Sequence, residues 1–147
     1  MSRAAAVALF LILPAAGGLH ASLPDAQAEP NLERRSKLAL DNAGQALTEA
    51  REAYAAGDRT RLEARAAEIG ESVELAQTSL RETGKNPRKN WRWFKRAEIE
   101  TRDLLRRLES FQEQMSVADR DLLDGVIAKV QKVHDDLLQG VMEGKPK

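Results

Sequence analysis

Four stretches of the chain place apolar residues at alternating steps of three and four. Leu40, Ala43, Leu47, Ala50 and Tyr54 form the first, and Leu62, Ala66, Ile69, Val73, Ala76 and Leu80 the second. The third carries Ala97, Thr101, Leu104, Leu108, Phe111 and Met115; the fourth carries Leu123, Val126, Val130, Val133 and Leu137. Such steps return every side chain to one stripe of an α-helix, the seam along which helices pack. No stretch shows the period of two that a half-buried strand requires. The pattern predicts an all-α fold.

The interruptions between the stretches are equally informative. Gly57 suits the left-handed residue after a helix, and Asp58 or Thr60 can cap the next one, with Thr60 and Glu63 in capping-box spacing. Pro30 with Asn31 marks the first start, while Gly84 and Pro87 end the second helix. Between Met115 and Leu122 there is no Gly or Pro. The fourth seam is nevertheless one residue out of phase with the third, beside Ser116-Val117-Ala118-Asp119, which predicts a turn. The expected result is four helices, each about 36–40 Å long. Short first and third connections make antiparallel hairpins of residues 31–84 and 97–144, joined by a link over 85–96. The first hairpin is Ala-rich, which permits close helix approach; the second uses Leu, Val, Phe and Met. Leu75, Leu105, Leu122, Ile127 and Leu138 widen the stripes, as an up-down four-helix bundle requires. The Tyr54-x-x-Gly57-Asp58 turn resembles that of a tetratricopeptide hairpin, but no second copy recurs at that family's period, so it is read as a general αα-turn.

Composition adds an address. Residues 1–28 read as a secretory signal peptide: Arg3 precedes the uncharged run Ala4–Leu13, and Ala26-Gln27-Ala28 supplies the small-x-small pattern of a peptidase site. The apolar run is shorter than the roughly 20 residues a bilayer demands. The processed protein is therefore expected to be exported, periplasmic or secreted in a bacterium, and not transmembrane. Cleavage after Ala28 would leave residues 29–147 as a single domain, and cleavage after Ala21 is the lesser alternative. The absence of cysteine excludes disulfides, a thiol nucleophile and thiolate-bound zinc.

Charge is balanced over the whole chain, with 23 Lys+Arg against 23 Asp+Glu, but it is not spread evenly. Residues 85–96 hold six cations and no anion, whereas residues 29–84 and 97–147 each carry 8 cations against 11 anions. The same link holds both tryptophans. Arg88, Lys89, Trp91, Arg92, Trp93, Phe94, Lys95 and Arg96 are thus the candidate binding residues. Cations attract phosphate or carboxylate, and Trp suits a boundary between apolar and wet surroundings. The expected partner is an envelope protein or an anionic envelope surface of lipid or cell-wall polymer. Nucleic acid is not expected, since the compartment is wrong and the remaining surface is acidic. The competing reading is architectural: the aromatics plug the bundle end, and the cations pair with Glu82, Glu98 and Glu100. Because Trp91 and Trp93 are two apart, one can be buried while the other is exposed.

Other constellations do not assemble. His134 is the only histidine beyond the leader, and its neighbours Asp135 and Asp136 do not share its helix face. It is expected to face solvent. Asp119, Asp121 and Asp124 lack the glycine and terminal Glu of a calcium loop and are expected to favour a helix dipole instead. No catalytic set, metal site or cofactor motif is expected, and the chain reads as a non-enzymatic interaction module. Pairing of seams between two chains, giving a homo-oligomer, is the remaining alternative.

Overall fold

A computed structural model describes residues 22–147 and is all-helical over them, with no strand among the described residues. Five α-helices occur in the order α1 (Leu23–Ala28), α2 (Leu32–Ala55), α3 (Arg59–Glu82), α4 (Trp91–Gln114) and α5 (Asp124–Glu143). A 3-10 segment, Val117–Leu123, lies between α4 and α5. It occupies the place where the phase slip predicts a turn.

Local chemistry accounts for the boundaries. The Asn31 side chain accepts the Arg34 amide at the start of α2, and Asp58 rather than Thr60 accepts the Arg61 amide at the start of α3. Gly57 and Gly84 adopt φ of 69° and 64°, left-handed values that a side chain would strain. The link is shorter than its composition suggests. Residues 91–96 form the opening turns of α4, so only 83–90 connect the hairpins.

Nearly every seam residue is buried, from Leu40 through Leu80 in the first hairpin and from Ala97 through Leu137 in the second. Tyr54 is partly buried against the same core. The largest interface joins α2 to α3, followed by α4 with α5; α3 also meets α5, and α2 meets α4. The flanking residues Leu75, Leu122 and Ile127 are partly buried against this core, as wide stripes require.

Two ends can be told apart by their hydrogen bonds. At one, the connection between α3 and α4 lies beside the start of α2 and the end of α5: Lys85 pairs with Glu33, and Arg88 donates to the Met142 carbonyl. At the other, the Tyr54 hydroxyl accepts the Ser116 amide at 2.9 Å and lies 3.3 Å from an Asp119 carboxylate oxygen. The phenol ring also meets Phe111 edge-on. The first end is basic. The second is acidic, since residues 109–124 carry five carboxylates and one cation.

Residues 1–21 of the expected leader lie outside the described residues. Residues 22–28, assigned to that leader on sequence, form α1 and its cap; Ala26 is fully buried and Leu23 is 8% exposed. Among the described residues no helix is long and apolar enough to cross a membrane.

Candidate functional site

The opening of α4 decides what the basic segment presents. Helical geometry sends Trp91, Lys95 and Ile99 up one side, with Arg92 and Arg96 next to them. Phe94 points the other way into the core, at 3% exposure. Trp93 is partly buried, and the Arg92 guanidinium lies 5.6 Å from its ring centre. Trp91 is 61% exposed and Ile99 44%. The two tryptophans thus differ in the way their spacing permits, and Phe94 drops out of the accessible set.

The cations are only partly neutralised. Lys95 bonds Glu98 at 2.6 Å, Arg96 bonds Glu100 at 2.7 Å, and Lys85 pairs with Glu33. Arg88 is held at the carboxyl-terminal turn of α5, where a cation complements the helix dipole. Among the described residues, Lys89 and Arg92 form no ion pair. The start of α4 is itself electropositive: Asn90 makes no capping bond there, and no acidic residue occupies the first turn. Backbone N–H groups and cations therefore concentrate in one place, an arrangement that favours an anion.

Two hollows of about 300 Å³ flank Trp91. One is lined by Trp91, Arg92, Lys95, Arg96, Ile99 and Glu100, and the other by residues including Glu33, Lys85, Lys89 and Trp93. Ile99 and Glu100 also line the next hollow, about 400 Å³, where α4 faces Leu40, Asp41 and Gly44 of α2. Ile99 and Glu100 thus separate two adjoining hollows, and the second also carries Asp103 and Arg107. A separate hollow of about 350 Å³ lies at the acidic end, lined by Tyr54, Leu62, Leu122 and Asp119 among others.

Glu98 and His134 depart from the surface positions expected of them. Glu98, a suggested partner of the link cations, is 1% exposed. One carboxylate oxygen takes the Lys95 ammonium, and the other lies 3.2 Å from His134 Nε2 and 3.7 Å from an Arg102 nitrogen. His134 accordingly does not face solvent, its side chain being 12% exposed. Burial alone would raise the Glu98 carboxyl. Hydrogen bonds from Lys95 and His134, with the charges of Lys95 and Arg102, outweigh that and hold it below the ordinary value. The signal for its burial lay in Leu105, a stripe-widening residue about two helical turns from Glu98. Asp119 and Asp121 fall in the 3-10 segment and Asp124 opens α5. Among the described residues no group of three or more His, Cys, Asp or Glu is placed to hold a metal ion.

Comparison with protein-family models, with curated proteins and with solved structures finds no match.

Proposed function

We propose that the protein is an exported, non-enzymatic helical module whose hairpins close as an up-down four-helix bundle. In this reading its basic, Trp-bearing end contacts another component of the cell envelope. The carrying observation is Trp91, largely exposed among Arg92, Lys95, Arg96 and Ile99. A large aromatic ring left in water at a cationic edge is the composition of a binding hot spot. The neighbouring hollow along α4 is acidic, with Asp41, Glu100 and Asp103 against Arg107, so the surface for a partner's carboxylates or phosphates is the Trp91 end itself.

A photoreactive residue at position 99 tests the reading, with the exposed Ala128 position on α5 as the control. A discrete adduct is expected at position 99, absent at 128 and lost on combined Arg92→Glu and Arg96→Glu substitution. The same adducts at both positions, or none at 99, would overturn it.

Lys89 and Arg92, cations without ion pairs beside Trp91, support a second reading: direct binding of anionic lipid or acidic wall polymer. Each cation near an anionic surface contributes about 1 kcal/mol. Phosphatidylglycerol vesicles should then shift Trp emission to the blue and phosphatidylcholine vesicles should not. Equal responses, or none, would remove this alternative.

A further inference from the structure

We propose that export processing cuts between Ala21 and Ser22, leaving α1 as a working part of the domain rather than the tail of its leader. The proposal rests on the export reading and concerns where the cut falls. Two sites compete in the sequence, Leu19-His20-Ala21 and Ala26-Gln27-Ala28, and the second fits the small-x-small pattern better. The structure supplies a different reason for its small residues. Ala26 lies at zero exposure in the core, on α1 where that helix packs against α2 and α3. Ala28 is exposed and its size is unconstrained.

Ser22 begins a complete local structure. Its hydroxyl accepts the Asp25 amide at 3.2 Å, and the Asp25 carboxylate returns to the Ser22 backbone nitrogen at 3.3 Å, with Pro24 in the first turn. This reciprocal box starts a helix. A cut before Ser22 turns that nitrogen into an ammonium already facing a carboxylate. A cut before Glu29 does the opposite. The Glu29 amide now donates to the Ala26 carbonyl, an acceptor that such a cut would remove. It would also remove Leu23 and Ala26 from the buried face.

The test is the amino-terminal sequence and intact mass of the full chain recovered after export from a bacterial host. Ser22 is the expected first residue. A start at Glu29 would overturn this proposal and leave export standing; a chain retaining Met1 would overturn both. Ala26→Arg separates the sites further. If the cut follows Ala21, the variant is processed normally but melts several degrees lower, because a guanidinium replaces a buried methyl. If the cut follows Ala28, arginine two positions before the site blocks processing and the precursor accumulates. Ala21→Arg should give the converse, precursor accumulation, and normal processing of that variant would count against the proposal.

Discussion

The two hairpins bury their seams by different means. In the first, Ala39, Ala43, Ala46, Ala50 and Ala53 of α2 meet Leu62, Ile69, Val73 and Leu80 of α3, and the backbones approach along their length. The buried polar groups of this contact are short: the Asn42 amide donates to the Ser72 hydroxyl at 2.9 Å and, at the margin, to the Glu68 carboxylate at 3.1 Å, and Ser79 bonds the Leu75 carbonyl of its own helix. In the second, Leu104, Leu108, Phe111, Val126, Val130 and Leu137 fill the space between α4 and α5. That hairpin buries an ionised carboxylate, Glu98, bridged to His134 across the helices. The lesson is that seam residue size selects the polar chemistry an interface can hold. A close contact buries hydroxyls and amides and keeps carboxylates such as Glu68 at its margin; a wider one buries a charge fully, provided donors reach it.

The largest expected effect comes from removing volume in the wider hairpin. Leu108→Ala should cost about 2–5 kcal/mol in denaturant unfolding, through lost burial and an unfilled cavity. Adding volume to the closer hairpin should also destabilise: Ala43→Leu is expected to cost about 1–3 kcal/mol by overpacking. A neutral Ala43→Leu would break the contrast between the hairpins. Glu98→Ala should cost about 2 kcal/mol, since His134 loses its bridge while Lys95 and Arg102 retain contact with water.

Acid sharpens the same contrast. The folded Glu98 carboxyl lies below its ordinary value of 4.5. Its contribution is therefore complete above about 4.5 and is lost as pH falls through the lower, folded value. Glu98→Gln should flatten that acid limb in stability-against-pH curves. Asp136 should leave a residual slope of the same sign, because although burial raises its carboxyl, bonds from Lys132 and Gln77 and nearby lysine charges lower it further. Asn42→Ala, in the closer hairpin, should leave the limb unchanged. The smallest effects concern helix starts. Asp58→Ala should cost about 1 kcal/mol, whereas Asn90→Ala, which removes no capping bond and only a long 3.3 Å bond to the Asn86 carbonyl, should cost less, about 0.5 kcal/mol.

Legibility followed the kind of interaction involved. The seams were readable because burial imposes a regular spacing, and the turn at 115–123 because a lost phase has few other causes. Gly57 and Gly84 stood where left-handed backbone was needed. Glu98 and His134 were not readable as a pair, because their meeting depends on the register between α4 and α5, which neither helix encodes alone. The α1 helix was legible in principle: Ser22 and Asp25 have capping-box spacing around Pro24. A competing template, the peptidase motif at 26–28, claimed those same residues. At the candidate site, spacing alone allowed Trp91 and Trp93 different environments, but which ring faced water depended on where α4 begins.

The placement of the basic connection and the acidic turn at opposite ends has a consequence for orientation. Net charge is zero, so the molecule feels little overall pull toward a charged boundary. Near an anionic boundary its segregated poles would instead feel a torque, turning the basic end inward and the carboxylates of residues 109–124 outward. With charge felt over only about 8 Å at physiological salt, the near pole dominates once contact is approached. The helices would then stand upright on an anionic boundary, holding the acidic end about 36 Å above it.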